Sequence, residues 1–272
     1  MSTPQGMALT IEGSPATEFS EVTELAGSRI TAEQLTRMSH RYSWAAQHCR
    51  QKDVVEVACG SGQGLGMLGS VASSLEAGDY TESILRIARA HYGARFPLAR
   101  LDAQALPYAD ASKDVVVLFE AIYYIPDATR FARECRRILR PGGQVLIATA
   151  NKDLYDFNPS PLSHRYYGTE ELAALFRDAG FEARLFGYMP IGEASLLQRV
   201  LRPAKKLAVA LRLMPTSLKG KRLLKRLVFG RLVPMPAELP APAGELEPPV
   251  PVAADAPDRR HKVLYCCATL PA

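Results

Sequence analysis

The sequence predicts an α/β domain: a mostly parallel seven-stranded sheet with helices on both faces, an antiparallel final strand, and a helical insertion before it. Three observations predict this. Apolar, β-branched runs alternate with helix-periodic stretches between residues 53 and 186. The first run breaks into glycines at Gly60 and Gly62, as a buried strand does on turning sharply into a helix. A last strand-like run, residues 262–269, returns after a long stretch without this alternation.

Taken in order, residues 1–29 show no clear periodicity and are expected to form a flexible N-terminus. Thr31 with Gln34 has the form of a capping box, and Leu35, Met38, Tyr42 and Ala45 then recur at helical spacing to about Cys49. Strand one is predicted over 54–58 and a short helix over 64–74. A second strand follows at 76–80, a helix at 82–92 and a third strand at 97–101. Residues 114–119 are nearly all apolar, as in a central strand buried on both faces. Asp127 is positioned to cap a helix through Leu139, and Pro141-Gly142-Gly143 turns it into a strand at 144–150. Thr169 is expected to cap a helix over 170–179, followed by a strand at 181–186 that pairs with the final one.

The net charge of +5 conceals an asymmetry. Residues 194–237 hold 11 basic residues and no acid, so the remainder is net acidic. Eight prolines between Pro234 and Pro257 read as a linker. The resulting division is a flexible 1–29, a main domain of 30–189 plus 261–272, a basic helical insertion over 190–233 and a proline-rich loop over 234–260. The five cysteines are odd in number and have no metal-ligand spacing, so reduced thiols and no metal are expected. No apolar run approaches the roughly 18 residues that span a bilayer. The N-terminal stretch has several acids and lacks the basic start of a secretory signal. A cytoplasmic location follows, with peripheral contact at the inner membrane face as an expectation from the basic segment.

Four blocks now stand in order: Glu56-Val-Ala-Cys-Gly60-Ser-Gly62, Gly78-Asp79-Tyr80-Thr81, Leu101-Asp102-Ala103-Gln104 and Leu139-Arg-Pro-Gly-Gly143. With them the chain resembles the class I S-adenosylmethionine-dependent methyltransferases, in particular their small-molecule branch, over about residues 30–190 and the last strand. The resemblance implies a Rossmann-like fold and S-adenosyl-L-methionine as cofactor. It implies that Ala58, Cys59, Gly60, Ser61 and Gly62 cradle the methionine part, with Glu56 orienting the loop from beneath. Asp79, beside Tyr80, would hold the ribose hydroxyls, and Asp102 and Ala103 would meet the adenine. Phe119 and the residues after it would line the reacting centre. The helix bearing Arg41, Tyr42 and Trp44 would close over the cofactor. Ala58 departs from the glycine usual at the first loop position.

For proton removal from an acceptor, Glu120 and His164 are the catalytic candidates. Tyr123, Tyr124 and Tyr166 are candidates for substrate contact. The acceptor is expected to be a small polar metabolite, a saccharide or lipid-linked, methylated on oxygen or nitrogen. Gly64-Leu-Gly66-Met-Leu-Gly69 fits a dinucleotide pattern literally, but begins beyond the strand-to-helix turn. Asn158-Pro-Ser-Pro161 is read as a turn. Three readings of the basic segment stand: helices packed over the pocket, attraction to an anionic membrane, and nucleic-acid binding. The last is disfavoured because Phe229 is its one aromatic residue, so no nucleic-acid partner is expected. A scaffold that has lost turnover is the competing class, and cofactor binding discriminates it.

Overall fold

A computed structural model describes residues 19, 23–155, 157–160, 162–191, 232–241, 244 and 246–272. Short strand β1 (Arg29–Thr31) leads into α1 (Ala32–His48). The helix starts at the capping box read from the sequence: Gln34 N donates to Thr31 Oγ1 at 3.1 Å and Thr31 N to Gln34 Oε1 at 2.8 Å. The alternating core follows as β2 (Asp53–Val57), α2 (Leu65–Gly69), β3 (Ser74–Asp79), α3 (Glu82–Tyr92), β4 (Leu98–Arg100), β5 (Lys113–Phe119), α4 (Ala128–Ile138) and β6 (Leu139–Ala150). Then come α5 (Thr169–Asp178), β7 (Glu182–Pro190), β8 (Leu232–Pro234), β9 (Val250–Val252) and β10 (His261–Thr269).

The main sheet has the order β4-β3-β2-β5-β6-β10-β7-β9. Strands β4, β3, β2, β5 and β6 are parallel. The final strand β10 lies antiparallel between β6 and β7, as the sequence predicts for its pairing with β7. The seven predicted strands are joined by an eighth, β9, antiparallel on the β7 edge. Strand β5 is apolar on both faces because helices cover both, and Val115, Val116, Val117 and Leu118 are fully buried. One apolar cluster contains Trp44, Leu68, Tyr265 and Cys267; the other contains Phe131, Phe176, Ile147 and Cys266. The adjacent cysteines therefore face opposite layers, and all five thiols are free and buried.

Several expectations are corrected. The helix after the glycine loop is five residues long, not eleven: glycine, a poor helix former, holds its N-cap (Gly64) and two of its five positions (Gly66, Gly69). Helix α5 is capped by Gly168, whose N–H donates to Glu171 Oε2 at 3.0 Å; Thr169 Oγ1 instead donates to Ala256 O at 2.6 Å. The described part of residues 1–29 is packed rather than free. Gly27 N donates to Met235 O at 2.8 Å, and β1 pairs with β8. The stretch 234–260 is likewise more than a loop: Met235 and Leu239 are buried and β9 joins the sheet. Residues 192–231, most of the expected basic helical insertion, lie outside the described residues.

Candidate active site

Strand order reverses between β2, with β3 on one side, and β5 on the other, and ligands of open α/β sheets bind at such a switch point. A cavity of about 460 Å³ lies there, beyond the carboxyl ends of β2, β3 and β5. Its floor is the glycine loop. The chain leaves β2 with Ala58 at φ 58°, Gly60 at 59° and Gly62 at 85°, a left-handed course that glycine tolerates and alanine does not favour. Gly60 N donates to Asp79 Oδ2 and Thr81 N to Asp79 Oδ1, both at 2.9 Å, so one carboxylate ties the loop to the end of β3. Burial pushes the Asp79 carboxyl up, and the amide bonds from Thr81, Gly60 and Tyr80 pull it partly back.

Ala58, Cys59, Gly60, Asp79, Tyr80, Asp102, Ala103, Phe119 and Tyr42 all line the cavity. Three expected contacts do not. Glu56 lies buried beneath the loop, as the sequence reading has it, but off the wall. Ser61 is buried with its hydroxyl unpartnered, also off the wall. Gly62 faces α3: Tyr92 Oη donates to Gly62 O at 2.7 Å, and a Cβ there would meet the Tyr92 ring at 2.9 Å. The dinucleotide-like glycines serve packing too. A Cβ on Gly64, Gly66 or Gly69 would overlap Tyr42, Glu238 or Phe96, respectively.

The Asp102 loop is held from behind. Asp102 Oδ1 accepts from Gln104 N at 2.8 Å. Arg137, paired with Glu134 at 2.8 Å, donates to Leu106 O and Tyr108 O, and Glu134 Oε2 accepts from Leu106 N.

Helix α1 supplies a side wall through Arg37, Met38, Arg41 and Tyr42. Tyr42 Oη donates to Glu56 Oε1 at 2.5 Å. Burial raises the Glu56 carboxyl to about 7, against the opposing effects of the Tyr42 hydrogen bond and Arg41. Trp44 does not close the cavity; it stacks on Tyr265 in the core, ring centroids 4.9 Å apart.

The remaining wall follows β5. Glu120 has φ 51°, lies 3.5 Å from Arg41 and accepts from Tyr123 Oη at 3.3 Å. Burial and the Glu120 charge push the Tyr123 phenol up, so it remains a donor. Tyr123 and Tyr124 line the cavity; Tyr166 does not, but stacks behind Tyr123 with centroids 4.3 Å apart. His164 lines the cavity, is exposed, and donates its N–H to Tyr123 O at 2.7 Å.

Sequence reasoning missed Phe19, Thr23, Glu24, Arg37 and Gln63, all on the cavity wall. Arg37 stands one helical turn before Arg41, a spacing visible in the sequence. The N-terminal residues carry no such signal. They are placed by a tertiary bond from Gln63 Nε2 to Glu24 O at 2.7 Å. Among the described residues no group of three or more His, Cys, Asp or Glu side chains is placed to hold a metal ion.

Comparison with known proteins bears on this site. Residues 55–147 match a methyltransferase domain family. A protein of Mycobacterium tuberculosis named as a probable S-adenosylmethionine-dependent methyltransferase is 36% identical over 144 residues, 52% of each chain. The O-methyltransferase cnsE of Penicillium expansum is 27% identical over 179 residues, 60% of each chain. The chain thus spans about half to three-fifths of the length of these relatives. The solved structure of the YcgJ protein of Bacillus subtilis superposes with a TM-score of 0.55 at 16% identity, over 86% of this chain and 99% of that one, a likeness of fold.

Proposed function

We propose that this chain, which carries a class I S-adenosylmethionine-dependent methyltransferase domain, transfers the methyl group of that cofactor to an oxygen of a small polar acceptor. The observation that carries this reading is the position of Asp79. Its carboxylate lies on the bend after β2, where Gly60 N donates to one oxygen and Thr81 N to the other. A carboxylate accepts from adjacent ribose hydroxyls as well as from amides, which suits this position. Asp102 and Ala103 on the neighbouring loop suit the adenine, and the left-handed turn at Ala58–Gly60 leaves room for the methionine part.

The cofactor supplies a methyl group on positively charged sulfur, an electrophile that needs a well-placed nucleophile more than it needs acid–base help. The chain's contribution is chiefly to hold the acceptor. Tyr123 and Tyr124 line the wall assigned to a sugar or other ring, and Phe19 lies 5.2 Å from the Tyr124 ring. His164 is assigned to take the acceptor's proton: it lines the cavity, and its exposure lets the proton pass to water. Glu120, engaged by Arg41 and Tyr123, is assigned to hold those two side chains rather than to accept the proton.

Oxygen as the target is supported by relatives named as O-methyltransferases. A saccharide or lipid-linked acceptor, and docking of the basic stretch 194–237 on the anionic inner face of a membrane, rest on the sequence alone. No helix among the described residues is long and apolar enough to cross a membrane. Co-sedimentation with anionic vesicles but not neutral ones is the outcome that supports docking.

Calorimetry with S-adenosylmethionine and S-adenosylhomocysteine tests the central reading, and absence of binding by either sinks it. A mass-spectrometric screen of cell extracts for cofactor-dependent gain of one methyl group then identifies the acceptor.

A further inference from the structure

The α1 wall of the cavity carries two arginines one helical turn apart, Arg37 and Arg41. Four carboxylates line the same cavity, and each is already engaged. Asp79 accepts from the amides of Gly60 and Thr81, and Asp102 from that of Gln104. Glu24 accepts from Gln34 Nε2 at 2.6 Å. Glu120 faces Arg41 at 3.5 Å and accepts from the Tyr123 hydroxyl. Among the described residues Arg37 has no hydrogen-bond or ion-pair partner, although it is half-buried on the wall. Among the described residues Arg41 has one ion pair, the long one with Glu120, lies 5.9 Å from the Tyr42 ring centre, and has a buried Nε without a hydrogen-bond partner.

A guanidinium withdrawn from water without a matching anion is a costly arrangement that a bound anion relieves. The cofactor's one carboxylate belongs to its methionine part, assigned above to the turn at Ala58–Gly60, and its sulfur is positive. The acceptor is the remaining source.

We infer that the acceptor bears an anionic group, a carboxylate or a phosphate, that seats on Arg37 with Arg41 behind it. This rests on the methyl-transfer reading. The planar guanidinium fork matches either oxyanion in two-point contact. Tyr123 and Tyr124 then flank the ring or chain that carries the reactive hydroxyl. Arg37 sets specificity in this arrangement and takes no part in the bond changes.

The test uses the full chain saturated with S-adenosylhomocysteine and three probes of like size: glucuronate, glucose 1-phosphate and neutral glucose. Calorimetry reads their binding. At least one charged sugar is expected to bind about tenfold more tightly than glucose, the worth of one charge-assisted contact. Whichever wins tells carboxylate from phosphate. Arg37→Gln is expected to abolish the preference while leaving S-adenosylhomocysteine affinity within about twofold, and Arg37→Lys to restore part of it. Equal binding of all three probes overturns the inference. So does a preference that survives Arg37→Gln in a variant with unchanged thermal unfolding, or anions that compete with S-adenosylhomocysteine. Should S-adenosylhomocysteine fail to bind the wild-type protein, the methyl-transfer reading falls; the probe preference, repeated without it, still decides whether Arg37 is an anion site.

Discussion

The two ends of the cavity are built from different material. At the Asp79 end the wall is the backbone of the glycine loop with the Asp79 and Asp102 carboxylates, set at the ends of parallel strands. The acceptor end is made of side chains from α1, the turn after β5, the loop at His164 and the N-terminal segment. The first end is tied to the sheet by the Asp79 bonds and to α4 by Arg137 and Glu134. The second is adjustable, since its arginines and tyrosines can be exchanged without disturbing a strand. A common chemistry can thus be kept at one end while its target changes at the other.

Four perturbations sharpen that contrast, the largest first. Asp79→Ala removes the acceptor of the Gly60 and Thr81 amides together with the group assigned to the ribose. S-adenosylhomocysteine affinity is expected to fall about a hundredfold, read by calorimetry, with smaller losses for any single substitution at the acceptor end.

Glu56 couples the two ends through Tyr42, and its effect has a definite sign. Its folded-state carboxyl is raised from 4.5 to about 7, so between those values the folded protein holds a proton that the unfolded chain releases. Stability contributed by this proton is full below pH 4.5, declines as pH rises, and is gone above about 7. Denaturant midpoints measured across that window are expected to fall in the wild type and to fall less steeply in Glu56→Gln.

Glu238 supports the loop from outside: it accepts from Arg95 at 2.9 Å and faces His91 at 3.2 Å, while the next residue, Leu239, donates its N–H to Gln63 O at 2.7 Å. Glu238→Ala is expected to cost up to about 1 kcal/mol, as for a surface ion pair, in a urea titration. A fall in S-adenosylhomocysteine affinity equal to that of Asp79→Ala would erase the distinction between loop and support. Ala58→Gly, the mildest change, relieves a left-handed residue and is expected to add a few tenths to about 1 kcal/mol of stability. The same titration reads it, and a decrease would mean that the methyl group of Ala58 earns its place by packing.

This division also explains what could be read in advance. Gly60, Asp79 and Asp102 were legible because a strand, a turn and an acid at the next strand's end are local patterns. So were β10 and its place in the sheet, from an apolar run with strand character. Gln63, Phe19 and Glu24 were not, since nothing periodic marks residues that reach the cavity by tertiary docking. Trp44, placed near the cofactor by the family resemblance, turns instead into the core, where Tyr265 stacks on it. Gly64, Gly66 and Gly69 are excluded as a dinucleotide pattern because they begin beyond the turn, but their packing role was not legible, since their neighbours Tyr42, Glu238 and Phe96 come from three distant parts of the chain.

The neighbouring thiols of β10 give the protein an internal clock. Cys266 belongs to one apolar layer and Cys267 to the other, each fully shielded. An alkylating reagent reaches either sulfur only when its own layer parts from the sheet. Pulse-labelling under mild denaturant would therefore write, within a single peptide, which side of the molecule lets go first.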